Sequence, residues 1–301
     1  MSIKVKTRRK NRVKQDVAVN IVIHVLLIVI ALACLYPLWF VIIASISDPA
    51  RIAVGDVLLL PKQITFDAYA KLREYSDIWV GYRNSLIYLF VGSFINLFGI
   101  LPAAYALSRR DLVGRKFWNI LIVVSMYFSG GMIPTYLLHN AIGWINTPAV
   151  LLVPALFNAY YLIVARSSFQ TLPDSLRESA YIDGASDFRY FLQFAIPLSK
   201  ATIAVLFLFN ALSWWNEYMR FVIYIDDPQM QSLQVIVQQI TSKLTASLSG
   251  GGTIDEVIQA EKTVELLKYS VVVITALPFC LLYPFIQKYF NTGIMIGAIK
   301  E

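Results

Sequence analysis

Residues 17–46 read VAVNIVIHVLLIVIALACLYPLWFVIIASI, a run of thirty positions without a charged side chain. A helix that crosses a bilayer needs about 20 mostly apolar residues, so this run predicts a membrane span. The basic residues before it and the pair Ala33-Cys34 also resemble a leader with a lipoprotein cleavage site. A leader would end there, whereas the apolar run continues well beyond Cys34. We therefore interpret 17–46 as a retained transmembrane helix.

Five further segments downstream have similar length and apolar character. The chain is 57% hydrophobic and only 15% charged, whereas soluble domains average about 25% charged residues. One such segment fits a buried helix of a soluble protein, but six in one chain favour the bilayer as solvent. The sequence therefore predicts an all-α polytopic membrane protein with six transmembrane helices. After the first, the spans are predicted at residues 84–107, 117–138, 149–165, 201–224 and 269–290.

The distribution of Lys and Arg predicts how these spans are oriented. Seventeen such residues lie in the N-terminal tail, the loops after the second and fourth spans and the C-terminal tail, against eight on the opposite side. Because cytoplasmic loops carry the excess of basic residues, both termini are predicted to be cytoplasmic. Membrane orientation therefore explains the net charge of +7, and we expect no nucleic-acid partner.

The cysteines, histidines and glycines indicate neither a metal site nor a nucleotide site. Cys34 and Cys280 both lie in apolar runs, which is typical of buried free thiols rather than a disulfide framework. No cluster of His, Cys and carboxylates has the spacing of metal ligands. The run SGGG at 249–252 lacks the Lys-Ser/Thr of a phosphate loop, so we interpret it as a hinge or spacer.

The segment TLPDSLRESAYIDGASDFRYFLQFAIP, residues 171–197, lies between the fourth and fifth spans. Thr171 and Asp174 have the spacing of a capping box and predict a helix that runs to about residue 182. Asp183-Gly184 predicts a turn, since Gly tolerates a positive φ. A second helix follows, and Pro197 ends it. The apolar residues on one face of that helix are Phe188, Phe191, Leu192 and Ala195.

Two interpretations of this helix-turn-helix remain open from spacing alone. Small residues at positions 179, 180 and 185 permit close approach by a partner protein, and Glu178 offers it a charge. The same amphipathic pattern also fits a loop that lies on the bilayer surface.

The order Glu-Ser-Ala-x-x-Asp-Gly-Ala, followed by an aromatic-rich helix and Ile-Pro-Leu, resembles the EAA loop of ABC-importer permeases. In that family the loop is a coupling helix that docks in a groove on the ATPase subunit. Ser179 replaces the first Ala of the family's motif, which is a small change. The resemblance implies a type I ABC importer permease fold. It assigns ATPase coupling to Glu178, Ser179, Ala180, Asp183, Gly184 and Ala185.

Other segments resemble particular branches of that family. The stretches 84–88 and 103–109 resemble carbohydrate-uptake permeases of the maltose type. The stretches 128–136 and 283–297 resemble permeases for polysaccharide-derived oligosaccharides, including pectin and alginate fragments.

The predicted spans also divide the chain. Two long outer loops are expected at 47–83 and 225–268, and residues 233–240 within the second predict a strand or a short helix. In this family the last outer loop probes the binding protein, and the tail at 291–301 touches the ATPase interface. The expected domains are a basic cytoplasmic tail at 1–16 and a transmembrane permease domain at 17–301 with its core at about 80–290.

Polar and aromatic residues are concentrated near the outer end of the fifth predicted span. An intramembrane charge is costly and marks a functional site by default. Rings beside amides suit sugars, which stack through their C–H faces and hydrogen-bond through their hydroxyls. Alternatively the rings form an interfacial aromatic belt and Glu217 pairs with Arg220 at i,i+3. The candidates for the substrate pathway are Asn210, Trp214, Asn216, Glu217 and Tyr218.

The resemblance implies the remaining parts of a transporter in the bacterial inner membrane. The expected partners are a second, homologous permease, two ATPase subunits that bind ATP and Mg, and an extracytoplasmic sugar-binding protein. The chain itself is expected to hold no cofactor and to catalyse no reaction. The alternatives are an ion-coupled secondary transporter, a permease for a solute other than sugar, and a scaffold without a pore. Ion-coupled transporters usually bury carboxylates at mid-membrane, and the sequence predicts none there.

Overall fold

The computed structural model describes the backbone of residues 3–249, 264, 267–278 and 280–281, with side chains from residue 19 to 242 and in the later segments. These residues form helices and connecting turns with no strand among them, which confirms the all-α prediction. The helices are α1 (Ile3–Ser45), α2 (Pro49–Ala53), α3 (Asp67–Glu74), α4 (Ser76–Ser108), α5 (Arg115–Tyr127), α6 (Met132–Ala141), α7 (Ala149–Leu152), α8 (Ala159–Gln170), α9 (Asp174–Ile182), α10 (Asp187–Tyr190), α11 (Ile196–Leu198), α12 (Lys200–Trp215), α13 (Met219–Tyr224), α14 (Leu233–Ser249) and α15 (Leu267–Pro278).

Three of these helical segments are long and apolar enough to cross a membrane: Val19–Ser45 of α1, the whole of α4, and Ala149–Gln170. Two further segments reach that length only as bent pairs. The α5–α6 pair bends by 107°, and Asp187–Leu198 bends by 79° against α12. By length and composition, the described residues therefore contain three helices that could cross a membrane, or up to five if each bent pair is one span. The predicted span 269–290 coincides only in part with α15, and residues 282–290 lie outside the described residues.

Two predicted spans differ from the helices that contain them. The second span was predicted from residue 84, but α4 begins at Ser76. In its polar first turns, Gly81 packs tightly against Leu233 and Ile236. The third predicted span, 117–138, is interrupted between α5 and α6, where Gly131 adopts a φ of +85°.

Two predicted loop segments also differ from the structure. Residues 233–240 form the first part of α14, so the strand alternative is wrong. The glycines of the predicted hinge at 249–252 lie outside the described residues. The predicted outer loop 47–83 is partly helical, since it contains α2, α3 and the start of α4.

The chain divides into two compact units, and the first comprises residues 1–74 and 243–275. Its described span, Val19–Ser45, exposes most of its apolar side chains, as a helix that faces lipid does. The C-terminal end of this span is held by a hydrogen bond and by an aromatic contact. The hydroxyl of Tyr69 donates to Ser45 Oγ at 2.8 Å, and Phe40 packs edge-on against Tyr269.

The second unit, residues 75–242 and 276–301, is organised around α4. A Cβ added to Gly92 would lie 2.1 Å from the Trp214 ring of α12, and one added to Gly99 would lie 2.1 Å from the carbonyl oxygen of Leu156. Small residues permit such close approach of membrane helices. The two glycines therefore set how closely the neighbouring segments pack against α4.

A buried polar network joins the same helices. Asn210 Nδ2 of α12 donates to Asn96 Oδ1 of α4 at 2.9 Å, and Asn96 Nδ2 donates to the Ala155 carbonyl at 2.7 Å. Each asparagine is at most 5% exposed. Interhelical amide hydrogen bonds of this kind stabilise packing within a membrane.

Candidate functional site

The turn between α9 and α10 is a Schellman motif. The Ala185 amide donates to the Ala180 carbonyl at 2.9 Å, and the Gly184 amide donates to the Tyr181 carbonyl at 3.0 Å. Gly184 has a φ of +79°, the left-handed conformation that such a cap requires. Ser186 then caps α10 by accepting from the Arg189 amide. The turn predicted at Asp183-Gly184 is therefore confirmed, and its hydrogen bonds fix the angle between the two helices.

The predicted capping box at the start of this segment is wrong. Thr171 Oγ1 donates back to the Ser168 carbonyl at 2.8 Å and so closes α8. The first turn of α9 has no side-chain cap hydrogen bond, from Thr171 or from any other described residue. Pro173 occupies the N-cap position of α9 without a side-chain hydrogen bond. Proline presets the backbone there, and Asp174 supplies the negative charge that favours a helix N-terminus.

The predicted apolar face of the second helix is divided by a π turn at Phe191–Ala195. Phe191 and Ala195 are buried, whereas Phe188 is 70% exposed. On α9, Ile182 is 87% exposed, and Glu178 is exposed one turn before it. The tip of the hairpin thus combines two acidic side chains, Glu178 and Asp183, with two large apolar ones. Apolar residues exposed together on a polar segment are typical of a contact surface.

Of the six predicted coupling residues, the structure places five in the exposed or partly exposed tip. Glu178, Ser179, Asp183 and Gly184 are exposed, and Ala185 is half-buried. Ala180 is only 4% exposed and packs inward. Its small side chain therefore serves the packing of α9 rather than contact with a partner.

Arg109, the first residue after α4, ties the hairpin to that helix. Its Nε and Nη2 donate to the two carboxylate oxygens of Asp111 at 2.9 and 2.6 Å. Its Nη1 donates to the Tyr181 hydroxyl of α9 at 2.5 Å and to the Asp187 carboxylate of α10. The Tyr181 hydroxyl also donates to Asp187. We call Arg109, Asp111, Tyr181 and Asp187 the arginine cluster.

The ionisation of the arginine cluster is constant at physiological pH. The hydrogen bonds from Arg109 lower the pKa of the Asp111 carboxyl to about 2. Burial raises the pKa of the Tyr181 hydroxyl, so that hydroxyl remains protonated and able to donate. A carboxyl with a lowered pKa contributes stability above its usual pKa of about 4 and loses that contribution as the pH falls toward 2. The cluster therefore acts as a fixed brace rather than a pH sensor.

The structure places two of the five predicted pathway residues in packing between helices of this chain. Asn210 belongs to the polar network with α4. Trp214 is 3% exposed, stacks on Tyr88 and has the Arg220 guanidinium 4.8 Å above its ring.

The other three pathway residues lie at the end of α12 and beyond it. Asn216 is exposed and Tyr218 is half-buried. Glu217 accepts from Arg220 Nε at 2.7 Å, which confirms the predicted i,i+3 ion pair.

Comparison with known proteins identifies the chain's family. Residues 78–296 match the family model described as the binding-protein-dependent transport system inner membrane component. The chain belongs to this family. It is therefore the membrane-embedded permease subunit of an ABC importer, which works with a separate ATPase and a substrate-binding protein. The permease does not itself hydrolyse ATP.

Two relatives from Bacillus subtilis (strain 168) resemble this permease over most of its length. It is 35% identical over 282 residues to the polygalacturonan/rhamnogalacturonan transport system permease protein YtcP, covering 93% of this chain and 98% of that protein. It is also 35% identical over 264 residues to Protein LplC, covering 88% of each. Among solved structures, a bacterial ABC transporter that imports the acidic polysaccharide alginate matches with a TM-score of 0.80 and 30% identity. The match covers 92% of this chain and 98% of that one.

The arginine cluster makes a testable prediction for this permease. Arg109→Ala removes the bridge between α4 and both helices of the hairpin, so we expect ATP hydrolysis to persist while uptake per ATP falls about tenfold. Arg109→Lys keeps the charge but not the planar guanidinium group that donates in pairs, so its uptake per ATP should lie between those of the wild type and of Arg109→Ala. The measurement is uptake and ATPase activity on the same reconstituted transporter.

The control for this prediction is Arg110→Ala, which removes the neighbouring arginine, whose side chain is 84% exposed. We expect Arg110→Ala to retain most of the wild-type uptake. Equal losses in the two variants, or normal coupling in Arg109→Ala, would argue against a bracing role for the cluster.

Proposed function

We propose that this chain is one of two homologous permease subunits of an importer for oligosaccharides derived from acidic polysaccharides. The names of YtcP and of the alginate transporter support this substrate class. The partners would be a second permease, two ATPase subunits that bind ATP and Mg, and an extracytoplasmic sugar-binding protein. The chain would cross the bacterial inner membrane six times with both termini in the cytoplasm, as the distribution of basic residues favours.

The hairpin 171–197 is the observation that carries the proposed coupling to an ATPase. Its tip presents Glu178, Ile182 and Phe188 to solvent, a composition suited to a groove on a partner protein. Its base is tied by Arg109 to the end of α4, the helix against which α12 packs. We propose that Glu178, Ser179, Ala180, Asp183, Gly184 and Ala185 form the coupling element. A movement of the ATPase would then reach the membrane helices through the arginine cluster.

Substrate would pass near the outer end of the fifth span. We propose Asn216, Glu217 and Tyr218 as residues near the pathway, with Asn210 and Trp214 holding the helix that carries them. The outer loops 47–83 and 225–268 would receive ligand from the binding protein. The basic tail 1–16 and the segment 291–301 would lie at the cytoplasmic face, and residues 17–301, with a core at about 80–290, would form the permease domain.

The proposal predicts that uptake depends on ATP and not on an ion gradient. The chain should co-purify with a second permease and an ATPase, and the complex in proteoliposomes should require ATP in the ATPase compartment and binding protein outside. Addition of a proton or sodium ionophore should leave the uptake rate nearly unchanged, because no ion gradient would drive this step. Oligogalacturonides and oligoalginates are the first substrates to assay.

The alternatives give different results in the same assay. Uptake driven by a proton or sodium gradient without ATP would identify an ion-coupled secondary transporter. ATP-dependent uptake of another solute, without uptake of any oligosaccharide tested, would support the ABC mechanism and overturn the proposed substrate class. Assembly without uptake of any solute would indicate a scaffold.

A further inference from the structure

A polar cavity of about 470 Å³ opens beside the coupling hairpin. It is bounded by the loop after α4, the end of α8 and the first turns of α9. Its lining contains one carboxylate, that of Asp174, against four guanidinium groups. The arginines are Arg109, Arg110, Arg115 and Arg177.

The arginines of this lining differ in how closely they are paired with carboxylates. Arg109 is neutralised by Asp111 and Asp187. Asp174 lies 3.8 Å from Arg177 Nη2 and 4.0 Å from Arg110 Nη2, distances too long for strong hydrogen bonds. Two guanidinium groups therefore share one loosely held carboxylate, and no ion pair is formed by Arg115 within the described residues.

A further arginine approaches the same wall from α8. With its amide oxygen turned toward them, Gln170 accepts from Arg115 Nη2 at 2.7 Å and from Arg166 Nε at 3.3 Å. One neutral acceptor is thus shared by two cations. In the described part of the chain, the buried Nε atoms of Arg115 and Arg177 have no hydrogen-bond acceptor. Buried donors without partners are rare and costly, so the two guanidinium groups that carry these atoms are poorly supplied with acceptors.

We infer that this cavity binds a phosphate group. Guanidinium groups match phosphate because their planar N–H forks donate in pairs to its oxygens. A tetrahedral anion offers acceptors in several directions at once, which suits a cavity lined by Arg115 from the start of α5 and by Arg177 from α9. The group has two possible sources, the headgroup of an anionic phospholipid or free phosphate. Binding of a lipid headgroup depends on the proposed cytoplasmic position of this loop, because basic pockets between membrane helices bind headgroups on that side. Binding of free phosphate does not depend on that position.

The test is direct binding to the purified full chain in a neutral detergent. Sodium phosphate and short-chain phosphatidylglycerol are titrated separately at matched ionic strength, with sodium chloride and short-chain phosphatidylcholine as blanks. Calorimetry gives the affinity, and native mass spectrometry counts the bound lipid. The variants are Arg115→Gln, Arg177→Gln and the double variant, with Lys116→Gln as a matched control. Lys116 is an exposed cation next to Arg115 that does not line the cavity.

We expect the wild-type chain and Lys116→Gln to bind with affinities within about twofold of each other. Each single arginine variant should bind at least tenfold more weakly, about 1.4 kcal/mol, so the result does not depend on the double variant folding. Binding of both probes identifies a general phosphate site, and binding of phosphatidylglycerol alone identifies a lipid headgroup site. Absence of binding to the wild-type chain, or equal affinity in the arginine variants, would overturn the inference. ATP-dependent uptake is not measured here, so failure of this test leaves the proposed function intact.

Discussion

Glu178→Lys is expected to reduce uptake at least about 100-fold while the chain still inserts in the membrane. Glu178 is exposed near the tip of the hairpin, and no described residue forms an ion pair with it. Reversal of its charge therefore leaves the fold of α9 intact. A like charge opposite a complementary surface costs several kcal/mol, and about 2.7 kcal/mol is already a factor of 100. The loss should appear as weaker association with the ATPase.

Three measurements separate this effect from a folding defect. The amount of chain in the membrane fraction should equal the wild type, the ATPase recovered with it should fall, and uptake should fall in parallel. Glu178→Gln removes the charge but keeps the size of the side chain, so its uptake and its ATPase recovery should lie between those of the wild type and of Glu178→Lys. Lys116→Glu reverses an exposed charge outside the hairpin and should leave ATPase recovery unchanged. Normal uptake in Glu178→Lys would exclude the coupling role proposed for this side chain.

The coupling turn was predictable from the sequence because its geometry is local. Gly184 carries the positive φ, and the six-residue hydrogen-bond pattern around it depends only on neighbouring residues. The exposure of Ile182 and Phe188 was not predictable in the same way. Helical spacing groups apolar residues on one face, but the π turn at Phe191–Ala195 changes the spacing partway along. Only the packed structure shows which members of that face are buried.

The arginine cluster could not be found from the sequence because its members are far apart in the chain. Arg109 and Tyr181 are separated by 72 residues, and periodicity carries no information over such distances. Arg109 was counted only as one basic residue of a cytoplasmic loop. The available signal was indirect: between α4 and the first turn of α5, at residues 109–116, the sequence has three arginines and one lysine but only one carboxylate, that of Asp111. The angle of the bend between α5 and α6 was not predictable for a related reason, since hydropathy measures length and composition but not backbone direction.

Trp214→Ala is the second substitution for which we expect a large effect, and that effect should be a loss of stability. The ring is 3% exposed and lies directly on Gly92. Truncation of a buried Trp removes many packing contacts and costs about 3–5 kcal/mol in soluble proteins. The packing part of that cost remains in a membrane, on the order of 2–4 kcal/mol. We expect the chain to unfold at a clearly lower temperature in detergent, as measured by fluorescence-detected size exclusion.

Gly92→Leu tests the same contact from the other side. A Cβ at Gly92 would lie 2.1 Å from the indole ring, so this substitution should separate α12 from α4 and destabilise the chain to a similar extent. Combining it with Trp214→Ala gives the leucine the space that the ring has vacated. The double variant should therefore be more stable than the sum of the two single losses predicts, by more than about 1 kcal/mol.

This cycle also decides what Trp214 contributes to transport. If the ring acts by holding α12 against α4, the double variant should recover uptake together with thermal stability. If the ring instead contacts the sugar, uptake should stay low in the double variant although its stability is restored. The geometry favours recovery, because the ring is enclosed by Gly92, Tyr88 and Arg220 of the same chain. Strict additivity of the two losses would show that the close approach at Gly92 is not what holds these helices together.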